Sequence, residues 1–256
     1  MARFAVILAA AGKSSRFSQG AVSVLLEGSL AQKKVFADLA GQAVWLRSAQ
    51  ILGQHPQVCQ TIVVVSPEDR AAFCDRYRAK IAFEGLTVVE GGAERADSVE
   101  RALAALQDDV DFVAVHDAAR PLVESEAIER VFQVAEQSGA AILAAPIVGT
   151  VKRVGQQGDI LETVPREGLW EAQTPQVCRR DWLEEAYRKR GPFQPTDEAH
   201  LLQNAGYTVQ VVESSRTNLK ITTADDLKLA LALLQPNPQP TSPPAKSRLW
   251  DDEDDQ

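Results

Sequence analysis

Cysteine is scarce in this chain. The three present, Cys59, Cys74 and Cys178, lie far apart and form no CxxC pair. That spacing excludes a zinc knuckle and a disulfide framework, and it fits a reducing, cytoplasmic setting. Long apolar runs are missing as well. The run over residues 4–11 follows a single arginine, is too short to span a bilayer and lacks a signal-peptide cleavage pattern, so no membrane association is expected. There is no excess of basic charge. Lys and Arg number 27 against 35 Asp and Glu, a formal charge of −8. The last 21 residues supply −3 of it, so the body is only mildly acidic and no global basic field invites nucleic acid. Any anionic ligand must be held by local cations. A GxGxxG fingerprint is absent, which removes support for a dehydrogenase-type dinucleotide fold. Gly12-Lys13-Ser14 imitates the end of a P-loop, but Ile7 stands where its first glycine would fall. No internal repeat is visible.

What remains is ample for a core: 256 residues, 45% of them hydrophobic. Residues 5–10, 61–65, 87–89, 112–115 and 141–145 are short apolar runs of the kind that form buried parallel strands. Helical patterns alternate with them over 44–52, 68–82, 98–106 and 126–137. This alternation predicts an α/β architecture, a mostly parallel sheet with helices on both faces. Ligands in such sheets sit beyond the carboxyl ends of the strands, which directs attention to residues 10–17, 90–98 and 116–121.

After Pro146 the rhythm changes. Runs over 150–154 and 160–164, around Gly155 and Gly158, read as a hairpin that leaves the main body. Such a hairpin can pack on a partner chain or stand idle at the surface. Further on, Asp181 can cap a helix to about residue 190 with Glu184 at the capping-box position. Thr196 can cap 197–205, which Gly206 suits as an end. Residues 207–212 and 218–221 look like strands, and Thr223 can cap a last helix over 224–234. Five prolines between Pro236 and Pro244, then an acidic run, mark 236–256 as a disordered tail. Within it Trp250 is either solvated or a docking residue. The domain is thus expected to occupy 1–235.

Several segments carry chemistry. In Ala9-Ala10-Ala11-Gly12-Lys13-Ser14-Ser15-Arg16-Phe17 the small residues let backbone approach a base or phosphate, successive amides can form an anion nest, and Arg16 offers a planar cationic fork. Lys33 and Lys34 precede an apolar pair and can bring cations near that loop. In Glu90-Gly91-Gly92-Ala93-Glu94-Arg95-Ala96-Asp97-Ser98-Val99 a strand end runs into a helix start, where backbone amides and Ser98 can bond a flat ligand. In His116-Asp117-Ala118-Ala119-Arg120-Pro121 an acid and a base bracket two small residues. Asp117 can accept from hydroxyls or help hold a hydrated cation, and Arg120 can pair with phosphate. His116 suggests a general base, although a lone histidine at a strand end is more often structural. In the second half, Thr150 with Lys152 and Arg153, Thr163 with Arg166, Thr174, Thr196, and Asn218 with Lys220 recur as hydroxyls and cations suited to a polyol phosphate.

In this order the segments resemble the 2-C-methyl-D-erythritol 4-phosphate cytidylyltransferases of the non-mevalonate isoprenoid pathway, over roughly residues 5–234. Residues 91–99, 115–121, 171–176, 196–199 and 218–220 carry most of the likeness. The resemblance implies a Rossmann-like nucleotidyltransferase fold, a homodimer clasped through a β-arm at about 147–168, CTP as donor, and Mg²⁺ held mainly through the CTP phosphates rather than by a protein metal site. Ala10, Ala11, Gly12, Gly92 and Ser98 would then cradle the nucleotide. Arg16, Lys34 and Lys220 would clamp the triphosphate and transition state. Asp117, Arg120, Thr150, Thr174 and Thr196 would face the acceptor, and Arg166 would reach the acceptor phosphate of the neighbouring subunit. The chain departs from the family pattern in three ways. Ser14 stands where glycine is usual and Ala93 where an acid is usual, and a longer stretch, 18–32, precedes the lysine, chosen as Lys34 by counting back from Gly41 and Ser48. Rival readings are a ribitol-5-phosphate cytidylyltransferase, a sugar-1-phosphate nucleotidyltransferase with another NTP, and a non-catalytic nucleotide-binding protein. The implied reaction needs no histidine, because a phosphate monoester with its second pKa near ~6 is already an oxyanion at neutral pH.

Overall fold

The computed structural model describes residues 1–12, 14, 17, 30 and 33–235. Its centre is a seven-stranded sheet built from β1 (Phe4–Ala9), β4 (Val58–Val65), β5 (Thr87–Glu90), β6 (Phe112–Asp117), β7 (Ala140–Pro146), β10 (Trp170–Arg179) and β11 (Gln210–Glu213). The strand order is β11-β7-β10-β6-β1-β4-β5. All neighbours are parallel except β10, which runs antiparallel between β6 and β7. Two small ladders complete the β structure: β2 (Asp38–Leu39) with β3 (Gln42–Ala43), and the hairpin of β8 (Val151–Val154) with β9 (Ile160–Val164).

The helices are α1 (Val44–Gly53), α2 (Pro67–Phe83), α3 (Arg95–Leu103), α4 (Ser125–Ser138), α5 (Arg180–Lys189), α6 (Glu198–Asn204) and α7 (Ala224–Leu234). None of the described helices is long and apolar enough to cross a membrane. β1, and β6 up to Val115, are apolar on both faces because both faces are covered. On one face Phe4 stacks on Phe112 and Phe132 while Trp45 packs against Phe73. On the other, Ile7, Ile62, Val99 and Val115 meet Leu183 and Leu201.

Five expectations change in detail. Helix α3 begins three residues early, at Arg95, because Glu94 and Asp97 form a reciprocal capping box. Asp181 does not cap α5; Arg179 stands at the cap position, Asp181 lies in the first turn paired with Arg179, and Glu184 pairs with Arg180 at 2.7 Å. The cap of α6 is Asp197, not Thr196, with its carboxylate accepting from His200 N at 2.9 Å. The strand expected over 207–212 forms only at 210–213. Residues 218–221 are not a strand: Asn218 turns inward to bond Gln173 and the Thr174 carbonyl, and only Ile221 N reaches the Ala119 carbonyl. By contrast Thr223 caps α7 as expected, in a box with Asp226. A long strand, β10, runs where the sequence offered only turn-like motifs. The tail over 236–256, with Trp250, lies outside the described residues.

Candidate active site

From β1 the chain passes outward to β4 and β5, then returns to the other side of β1 as β6. At such a reversal the loops after neighbouring strands diverge and leave a crevice at the carboxyl edge. A cleft of ≈ 640 Å³ opens there. The loop after β1 contributes Ala11 and Gly12, and the loop after β5 contributes Gly91 and Gly92. Arg95 and Ser98 of α3, Asp117 at the end of β6, Lys34 and Lys220 also line it.

The glycine loop is close-packed. A Cβ on Gly91 would sit 2.7 Å from Ala11 Cβ and 2.8 Å from Ser98 Oγ, and one on Gly92 would sit 2.4 Å from Asp97 Cβ. Ser98 holds this loop: its hydroxyl accepts from Gly92 N at 3.0 Å and donates to the Glu94 carbonyl at 3.0 Å. Arg101 Nη1 donates to the Gly91 carbonyl at 2.7 Å. The loop therefore presents backbone to the cleft in a shape set by two side chains of α3.

Lys33 and Lys34 separate clearly. Lys33 Nζ bonds Ser66 Oγ at 3.0 Å and Glu68 at 3.3 Å and pairs with buried Asp69, so it ties the lysine turn to the start of α2. Lys34 is the one that lines the cleft.

Asp117 is the electrostatic centre. Its carboxylate lies 2.7 Å from Lys220 Nζ, 3.5 Å from Arg95 Nε and 3.7 Å from Arg120 Nε. Burial alone would raise its pKa, but Arg95 and Lys220 outweigh burial and hold it well below the usual carboxylate range. Arg120 is buried, with Nη1 donating to the Asn218 carbonyl at 2.6 Å and Nη2 to that of Ala172 at 3.4 Å. The Thr174 hydroxyl lies beneath the cleft, accepting from Asp117 N at 3.0 Å and meeting His116 Nδ1 at 3.1 Å. His116 Nε2 is 3.1 Å from the Arg120 carbonyl. A proton on Nε2 satisfies that carbonyl, leaving Nδ1 to accept from Thr174. Burial lowers the His116 pKa to about 4, so it is a neutral structural group at pH 7, held away from the cleft.

The other residues singled out by sequence fall elsewhere. Ala10 is buried under the first loop, with N bonded to Val64 O at 2.9 Å. Thr196 is exposed ahead of α6, its hydroxyl 3.2 Å from His200 Nδ1. Thr150 and Arg166 are exposed on the hairpin arm, where Arg166 Nη1 donates to the Val148 carbonyl, and neither lines the cleft of its own chain. Arg16 and nearly all of 18–32 lie outside the described residues. Sequence reasoning missed Arg95, Glu198, Arg101 and Gln176. Gln176 donates to Asp197 at 3.0 Å and accepts from Ala199 N at 2.9 Å, fixing the start of α6. The quoted motifs contain Arg95 and Glu198, but nothing along the chain pairs residues 103 positions apart.

Among the described residues no three His, Cys, Asp or Glu side chains converge on a metal-sized space. One carboxylate among three cations suits a cation that arrives on phosphate oxygens better than one held by protein.

The model of the 2-C-methyl-D-erythritol 4-phosphate cytidylyltransferase family matches residues 4–236. A 2-C-methyl-D-erythritol 4-phosphate cytidylyltransferase of Rhodopirellula baltica is 37% identical over 91% of this chain and 95% of its own length. A bifunctional enzyme IspD/IspF of Desulfotalea psychrophila is 38% identical over 92% of this chain, which spans 58% of that longer protein. The crystal structure of a 2-C-methyl-D-erythritol 4-phosphate cytidylyltransferase of Francisella tularensis superposes with a TM-score of 0.72 at 28% identity, covering 91% of this chain and all of that one.

Proposed function

The chain belongs to the 2-C-methyl-D-erythritol 4-phosphate cytidylyltransferase family, and on that premise we propose that it joins the CMP unit of CTP to 2-C-methyl-D-erythritol 4-phosphate. The products are 4-diphosphocytidyl-2-C-methyl-D-erythritol and pyrophosphate. The observation that carries this reading is the cleft at the strand reversal, where a backbone-lined glycine loop faces Lys34, Lys220 and Asp117.

A phosphate oxygen of the acceptor attacks the α-phosphorus of CTP. The new P–O bond forms as the bond to the β-phosphate bridge breaks, and pyrophosphate leaves with that electron pair. Attacking oxygen and leaving group are already anions, so the barrier lies in bringing polyanions together and holding the added charge. Lys34 and Lys220 supply positive charge on the cleft wall. Arg16 joins them in this reading. Mg²⁺ bound to the triphosphate supplies further charge neutralisation. Ala11, Gly12 and Gly92 cradle the nucleotide, with Ala10 and Ser98 shaping their loops. Asp117 accepts from acceptor hydroxyls, and Arg120 and Thr174 hold it in place.

We place the acceptor phosphate against Arg166 and Thr150 of a second subunit, because both are exposed on the arm and neither lines the cleft of its own chain. The arm carries exposed Val148, Val154, Ile160 and Leu161, with half-exposed Trp170 at its base at the start of β10, a surface suited to burial between two copies in a homodimer. Thr196, just ahead of α6, is assigned to the acceptor side in the same reading. A cytoplasmic location fits the three free cysteines.

The decisive assay is pyrophosphate release with CTP, Mg²⁺ and 2-C-methyl-D-erythritol 4-phosphate, with ribitol 5-phosphate in parallel. Release with the first acceptor alone is expected. Release with ribitol 5-phosphate alone would keep the chemistry and change the pathway, and silence with both would sink the reading.

A further inference from the structure

We infer that Arg95, anchored by buried Glu198, is a positioning residue that couples the nucleotide loop to the acceptor side of the cleft. The inference rests on the proposed division of the cleft into nucleotide and acceptor halves.

Arg95 is the first residue of α3, directly after the glycine loop and inside the capping box of Glu94 and Asp97. Its guanidinium makes a two-point fork, Nη1 to Glu198 Oε1 at 2.7 Å and Nη2 to Oε2 at 2.9 Å. The remaining nitrogen, Nε, faces Asp117 Oδ1 at 3.5 Å. Glu198 is 2% exposed and opens α6, two residues after Thr196. The start of α6 is itself fixed by Gln176 of β10. One planar group therefore joins three separate pieces of chain: the nucleotide loop, the end of β6 and the approach to α6. Both oxygens of Glu198 are engaged by the fork, so the guanidinium plane cannot turn without leaving a buried carboxylate unpaired. Lysine, a single point charge, can satisfy one of these carboxylates but not hold the plane.

The contact with Asp117 gives the tie a second consequence. In the empty cleft Lys220 leans on Asp117 at 2.7 Å. An incoming phosphate competes for Lys220. Arg95 keeps positive charge on Asp117 when Lys220 leaves, so the carboxylate stays ionised and in place to receive hydroxyls. Without Arg95, only Arg120 remains beside Asp117 when Lys220 leaves, so Asp117 retains Lys220 more strongly and less positive charge reaches the acceptor phosphate. Arg95 acts through Asp117, Lys220 and the loop, and its fork is spent on Glu198, so it need not touch the substrate.

The test is calorimetric binding of 2-C-methyl-D-erythritol 4-phosphate to the full chain, with and without a non-hydrolysable CTP analogue and Mg²⁺. Wild type, Arg95→Lys and Glu198→Gln are compared, with thermal melts to check folding. In the wild type the analogue should tighten the acceptor by about fivefold or more. In both variants that factor should fall towards one while the analogue binds within a few-fold of wild type. A role confined to stability would shift the melting temperature and leave the factor unchanged. The inference is overturned if the wild type shows no coupling or if both variants keep it. It is equally overturned if Arg95→Lys loses coupling while folded Glu198→Gln keeps it, since Arg95 would then act directly on ligand. Should Arg95→Lys fail to fold, the isosteric Glu198→Gln decides alone. Failure of the wild type to bind the CTP analogue at all would instead overturn the functional reading itself.

Discussion

Lys220 is held at 2.7 Å from an ionised carboxylate yet is 40% exposed, so it can swing from Asp117 to a phosphate at little cost in buried charge. Lys220→Ala should lower kcat on the order of 10²–10³-fold, by analogy with loss of one preorganised charge donor. The melting temperature should stay near wild type, and turnover within a few-fold of native would remove Lys220 from the mechanism. The two adjacent lysines should behave oppositely. Lys34→Ala, on the cleft wall, should cost mainly activity. Lys33→Ala leaves buried Asp69 with only Ser66 among its present partners. It should destabilise by about 1–3 kcal/mol while a folded fraction still turns over; steady-state kinetics beside thermal melts separate the pair. His116 carries a pH signature. Its pKa is about 4 in the fold against about 6.5 when unfolded, so between those values the unfolded chain binds more protons. Its contribution to stability is complete above about pH 6.5 and is lost as pH falls towards 4. The groups facing it are Asp117, Arg120, Lys220 and Thr174. Melting temperature against pH should fall across that window, and less steeply in His116→Asn.

At the scale of elements, the glycine loop and α3 form one unit. Gly92→Ala drives a Cβ to 2.4 Å from Asp97 Cβ and 3.1 Å from its carbonyl carbon. Because Asp97 belongs to the capping box of α3, relief of that clash must move the helix start. CTP affinity should fall by at least tenfold, about 1.4 kcal/mol, with a smaller change in stability, as titration of CTP against intrinsic fluorescence would reveal. An unchanged affinity would mean that the loop backbone does not meet the nucleotide. Local chemistry also explains which element boundaries could be anticipated. Thr223 and Asp226 cap α7 through contacts within one turn, so the signal is local. The start of α6 depends on Gln176, more than 20 residues away, which favours Asp197 as the cap over its neighbour Thr196.

For the whole molecule, the arm is one part whose apolar residues a single chain leaves exposed. Its Arg166 is exposed and does not line the cleft. Leu161→Asp should convert a dimer to a monomer in size-exclusion chromatography with light scattering. Activity should fall with it and not return on adding CTP, since Arg166 would no longer meet an acceptor. A monomeric wild type with full activity would defeat that arrangement.

Sequence alone determined the α/β alternation, the strand ends that border the cleft and the family resemblance, because apolar periodicity, glycine pairs and cap residues are short-range signals. It also singled out Asp117 and Lys220, both of which line the cleft. Only the tertiary structure decided where they sit and what they meet. It laid β10 antiparallel between β6 and β7, turned Asn218 inward, spent Thr174 and Arg120 beneath the cleft, assigned Lys33 to α2 and Lys34 to the wall, and joined Arg95 to Glu198. Each of these depends on groups far apart in the chain meeting in a low-dielectric interior. There an unpaired charge or amide is costly, and the partner that relieves it leaves no local mark in the sequence.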